Sequence, residues 1–123
     1  MNILPVVPTL KASPEVTALL GTSPLKVWED IAPSGTAYPY AVWSVVTANP
    51  ENHLDCPANL DHVSFQIVVY DTQQKRASDI RAAIRKALEP HCYVTNIHPN
   101  HFERIADTNI FGRGFDANWF LDR

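Results

Sequence analysis

The stretch AYPYAVWSVV, residues 37–46, is the most apolar run in the chain, and the fold turns on how it is read. Aromatic and β-branched side chains crowd it, the kinds that fit a pleated, half-buried surface. Pro39 lacks an N–H and fixes its own φ, so it marks where a strand begins. From there Tyr40, Val42, Ser44 and Val46 fall on one face, and Ala41, Trp43, Val45 and Thr47 on the other. Neither set is strongly polar, which predicts a strand that is central or covered on both sides. One face would pack on a helix. The flanks IAPSGT and TANPEN carry turn chemistry.

Working outward, HVSFQIVVYD (62–71) alternates cleanly. Val63, Phe65, Ile67 and Val69 oppose His62, Ser64 and Gln66, as in a half-buried antiparallel strand. TQQKRASDIRAAIRKALEP (72–90) is the strongest helix, with Ala77, Ile80, Ala83, Ile84, Ala87 and Leu88 at helical spacing. Thr72 is placed to cap it and Pro90 to end it. SPEVTALLG (13–21) predicts a shorter helix capped by Ser13, started by Pro14 and stopped by Gly21. LKVWE (25–29), CYVTNIH (92–98) and FDANWFLDR (115–123) read as strands. HPNHFERIADTNIFGRG (98–114) reads as a loop, or a strand pair with a loop, in which GRG at 112–114 makes a hairpin turn. Residues 1–12 are expected as an N-terminal arm, irregular or a separate helical turn. Residues 49–60 are expected as a polar connection long enough to be functional or mobile. The predicted order is α-β-β-β-α-β-β in a single domain over 1–123. Its class is α+β, a mainly antiparallel β-sheet with one long helix packed on one face and a short N-terminal helix.

With 123 residues, 46% hydrophobic and 19% charged, the chain lies in the globular range and needs no disulfide or metal to fold. A net charge of −3 argues against wholesale binding to a nucleic-acid backbone. The charge is uneven. Between Gln73 and Glu89, Lys75, Arg76, Arg81, Arg85 and Lys86 face only Asp79 and Glu89, a net +3 that leaves −6 for the remainder. Opposed patches of this kind suit self-association or docking to a charged partner. The two cysteines, Cys56 and Cys92, make no framework. The start MNILPVVPTLKASPEV lacks a signal peptide's basic and long apolar regions, and no run reaches the ~18 apolar residues of a membrane span. The expectation is a reducing cytoplasm with free thiols and no membrane contact.

Catalytic patterns are not found. His91, Cys92, His98 and His101 cluster, but His91 and Cys92 are adjacent and on a strand would point to opposite faces. That excludes them as a thiol–base pair, and exposed loop histidines are the simpler reading of the group. His98 and His101 flank Pro99 and could approach each other. There is no G-x-S-x-G, and with four glycines no phosphate cradle. No carboxylate pair has a geometry that can be argued. Neither a metal nor a cofactor is expected, and the chain reads as an interaction or structural protein rather than an enzyme.

Taken in order, three segments resemble the tail-completion and tail-terminator family of long-tailed bacteriophages and prophages. The first is Val27, Trp28, Ala32, Pro33, Tyr38, Pro39, Tyr40 and Val42; the second Phe65, Gln66, Ile67, Val69 and Tyr70; the third Ala77, Ile80, Ile84, Arg85, Ala87 and Leu88. The likeness covers roughly residues 13–89. It implies a structural virion protein that completes or terminates the tail tube and takes part in head–tail joining. It implies a homo-oligomer, typically a hexamer ring, meeting the tail tube protein and head–tail connector proteins. DNA would pass through the ring without sequence-specific binding. The implied place is the head-proximal end of the virion tail, with assembly in the host cytoplasm. Lys75, Arg76, Arg81, Arg85 and Lys86 are then candidates for an inter-subunit or lumen-facing surface, and Asn52, His53 and Asp55 for an assembly loop. Another head–tail connector or minor tail protein, or a small ligand- or metal-binding α+β module built on His91 to His101, are the alternatives.

Overall fold

The period-2 run at 63–69 becomes the middle of a six-stranded sheet in a computed structural model, which describes residues 4–22, 24–53 and 56–122, the side chains of 48–62 and 121–122 excepted. Along the chain the elements are α1 (Val6–Lys11), α2 (Pro14–Leu20), β1 (Val27–Glu29), β2 (Tyr40–His53), β3 (Cys56–Asp71), α3 (Gln74–Leu88), β4 (Tyr93–Ile97), β5 (His101–Ile105) and β6 (Thr108–Asp122). The sheet order is β1-β2-β3-β6-β4, and β5 pairs with another part of β6. β1 runs parallel to β2; every other pairing is antiparallel. The expected α+β class, mostly sheet with a long helix on one face, describes this architecture.

All three helices lie on one side of the sheet. Val63, Phe65, Ile67 and Val69 of β3 point there, beside Ala41 and Trp43 of β2 and Phe115, Ala117 and Trp119 of β6. Ile80, Ala83, Ile84 and Leu88 of α3 close over them. Val6 and Leu10 of α1 and Val16 and Leu20 of α2 are four apart on their helices, so each pair makes one stripe that packs against the same core. Fully burying such a side chain stabilises the fold by about 1.5–3 kcal/mol.

Several local expectations change. Residues 6–11 are a helix packed into the core, which is the helical-turn form of the expected arm. Ser13 Oγ accepts from Val16 N–H and Pro14 starts α2, as its sequence predicts. α3 is not capped by Thr72. Its N-cap is Gln73, whose N–H donates to Asp71 Oδ1 instead. The polar connection at 49–60 is mostly sheet: β2 runs to His53, β3 resumes at Cys56, and Leu60 and Asp61 pair with Asp122 and Leu121 of β6. Asn, Pro and Glu are poor strand formers, and the hairpin pairing of β2 with β3 overrides that preference here. Pro50 is tolerated because β1 pairs β2 only at 41–43, which leaves the outer edge of β2 open beyond that point. GRG is not a turn but lies inside β6. The turn falls at Ala106 and Asp107, both with positive φ (50° and 66°), which gives the primed geometry that suits a tight hairpin.

Candidate assembly surface

Most of the cationic face of α3 is neutralised within the chain. Arg76 grips the buried Asp71 carboxylate with two hydrogen bonds, 2.6 Å from Nε and 2.7 Å from Nη2. Burial pushes the Asp71 carboxyl up. The bonds from Arg76 and from the Gln73 and Thr72 backbone, with the Arg76 charge, outweigh this and hold it below the ordinary carboxylate value. Lys75 lies 3.5 Å from Asp79, Arg85 2.7 Å from Glu89 and Lys86 2.9 Å from Glu15 of α2. These last three pairs are solvent-exposed and fasten little.

Arg81 differs. Among the described residues it has no carboxylate partner, and its Nη1 only approaches the His98 carbonyl at 3.5 Å. Burial, then the charges of Arg113 and Arg85, lower its pKa. Arg113 was not singled out by sequence, yet it is buried on the helix side of the sheet, donating to Ser78 Oγ, the His101 carbonyl and the Gly112 carbonyl. The signal was its place between two strand glycines, whose side of the sheet is filled by other groups. Gly112 lies under His101, and a Cβ at Gly114 would meet His98 Nδ1 and Ile67 O at 2.7 Å. His98 and His101 therefore cover successive glycines on one face. Far from being an exposed loop histidine, His98 is largely buried and its Nε2 lies 2.8 Å from Asp116 Oδ1.

The face opposite the helices has no covering layer among the described residues. Tyr38, Tyr40 and Tyr70 stack along it, with centroids 5.3 Å and 5.6 Å apart, and Trp28 meets Tyr40 edge-on at 6.4 Å. Burial, then the neighbouring Tyr38 and Tyr70, raise the Tyr40 pKa. Trp28 and Tyr70 belong to this half-exposed face. Next to the tyrosines the 30–36 loop walls an open concavity of about 510 Å³, lined also by Ile31, Pro33 and Val42. The middle of the face is polar: Ser64 Oγ donates to Asn118 Oδ1 at 2.7 Å, and Gln66 Nε2 to Ser44 Oγ at 3.4 Å.

The histidine region offers no convergent chemistry. His91 stacks on Trp119 with centroids 5.9 Å apart, and burial, with Glu89 nearby, pushes the Cys92 thiol up to about 11. Among the described residues no three His, Cys, Asp or Glu side chains could hold a metal together. No helix among them is long and apolar enough to cross a membrane. Asn52 and His53 belong to the last turnward residues of β2 rather than to a loop, and Asp55 lies outside the described residues.

The described residues thus make a paired strand core with a helical layer on one side and an aromatic, uncovered face on the other. The family model of tail completion protein gp17 matches residues 5–111. The chain belongs to the tail completion family. That family consists of structural proteins of bacteriophage tails, and the match takes in all three segments that carried the resemblance. No curated protein sequence matches the chain. Among solved structures, a chain of a "Virion of native gene transfer agent (GTA) particle" shares the fold, with a TM-score of 0.55 and 18% identity over 94% of this chain and 92% of that one.

Proposed function

We propose that this tail completion family member is a non-enzymatic ring component that ends the tail tube and takes part in joining it to the head. Several copies, six by the family resemblance, would encircle a passage for DNA at the head-proximal end of the tail after assembly in the host cytoplasm. Their partners would be the tail tube protein and head–tail connector proteins. The family match over residues 5–111 carries this reading. The uncovered aromatic face supports it physically, because large rigid side chains with polar tips are the residue types enriched where proteins meet. Of the five candidate basic residues, Arg81 is the one left without a carboxylate among the described residues. It is the first choice for contact with a neighbour or the lumen, with Arg85 beside it; Lys75, Arg76 and Lys86 serve mainly within the chain. The 49–60 segment, with Asn52, His53 and Asp55, remains proposed as a contact with the tube or connector.

Deleting the gene and examining particles by electron microscopy tests the reading. Abnormally long tails, or full heads without joined tails, are expected, both restored by the gene supplied in trans. Normal tails on normal heads in its absence would refute the function.

A further inference from the structure

The β5–β6 hairpin projects from the domain. Every residue from 101 to 109 is exposed, and among the described residues the only strand flanking β5 is β6. Phe102 is nevertheless 59% exposed, lying against Phe111 with ring centroids 6.0 Å apart. Arg104, two residues on, shares its face and has only a loose 3.9 Å contact with Asp107. Folding gains little from an aromatic ring and a cation held out on such an arm.

At the other edge of the sheet lies the concavity of the 30–36 loop. It is lined by Tyr38, Tyr40 and Tyr70, and beside them Ile31 is 79% exposed. Asp30 sits on its rim without an ion pair among the described residues, and Glu29 is exposed next to it. Lys26 lies nearby and donates to the Ala37 carbonyl at 3.5 Å, so it is partly engaged.

We propose that Phe102 of one copy seats in the tyrosine-lined concavity of a second copy, with Arg104 against the neighbour's Asp30. This rests on the ring reading above and names the surfaces that would close it. Chemistry matches twice, aromatic to aromatic and guanidinium to carboxylate. The chain cannot satisfy itself, because β1 and β5 are separated by β2, β3 and β6, about 19 Å at ~4.8 Å per strand step. Arm and concavity are therefore different patches on opposite edges, a head-to-tail contact in which each copy gives and receives one arm. They also lie at the same level. Tyr40 pairs with Tyr70, Tyr70 with Gly112 and Gly112 with His101, one row running straight across the sheet.

One ring and one ion pair bury much less than the ~1,200–2,000 Å² of a stable pairwise contact, so the test uses assembled particles. Ile31→Cys and Phe102→Cys, both at exposed positions, are placed together in the full chain and the particles oxidised. A covalent ladder of multiples of the protomer is expected, absent from either single variant. Ring density without the ladder would overturn the docking and leave the ring reading standing; no multi-copy density would overturn both. Self-linking of Phe102→Cys alone, or its linkage to a tube or connector protein, would also overturn the docking. Independently, Asp30→Arg and Arg104→Asp should each lower infectious titre at least tenfold and together restore it. Failure of the pair to restore titre, with both variants folded, contradicts the assignment.

Discussion

The two faces of the sheet are built from the same strands and do different work. Towards the helices, Phe65, Ile67 and Phe115 are almost wholly buried, and the polar groups that intrude, Asp71 and Arg113, are tied down by hydrogen bonds. On the other side, alternating residues of the same strands are half-exposed tyrosines, serines and amides joined by a few side-chain contacts. The first arrangement concentrates stability. The second leaves chemistry available to another surface. Substitutions on the two faces should therefore separate folding from assembly.

The largest effect is expected at the buried face. Phe65→Ala should lose about 3–5 kcal/mol in urea unfolding, whereas Tyr70→Ala, on the opposite side of the same strand, should lose much less and impair assembly instead. Equal losses would erase the distinction between faces. Next comes Gly114→Val. Its Cβ would meet Ile67 O at 2.7 Å and Val68 Cγ2 at 2.9 Å, and the backbone oxygen cannot give way. A loss of about 1–3 kcal/mol is expected, against a near-neutral Gly112→Ala, where the nearest atom is 3.5 Å away.

Asp71→Asn should cost about 1–2 kcal/mol. Breaking a buried pair costs more, but Arg76 is a third exposed and water compensates it. The folded Asp71 pKa lies below its unfolded value. Its contribution is thus complete above about pH 4 and is lost as pH falls through the folded pKa. Thermal melts of the wild type should show this acid loss, and the Asn variant should show a shallower one. The smallest stability effect is expected for Arg81→Glu with Arg85→Glu, less than about 1 kcal/mol, with a fall in completed infectious particles. A double variant that completes particles at the normal level would remove this surface from assembly.

Much of the fold was legible because the core face declares itself by period. Val63 to Val69 gave a strand face and Ala77 to Leu88 a helix stripe, and both are where the sequence places them. The 49–60 strands were not legible, since Asn, Pro and Glu are poor strand formers and the segment is held by the pairing of β2 with β3, which spacing does not announce. GRG misled for a related reason. Paired glycines signal a turn locally, whereas here they make room for His98 and His101. The basic helix face was visible in sequence, but its neutralisation by Asp71, Glu89 and Glu15 was not, because ion pairing across elements leaves no mark in spacing. The tyrosine face was half visible: Tyr40 and Trp43 were correctly set on opposite sides, while the stacking of Tyr38, Tyr40 and Tyr70 needs two strands and a loop brought together.

The central claim is that this protein acts as several copies of itself arranged around the end of a tail. A cryo-electron microscopy reconstruction of the tail–head junction, with the protein located by a tag inserted at its C-terminus, tests that directly. The account predicts a closed ring of equivalent copies around the channel, helices on one side of each sheet and neighbours contacting the other parts. A single copy at the junction, or the tag found only away from it, would contradict the account.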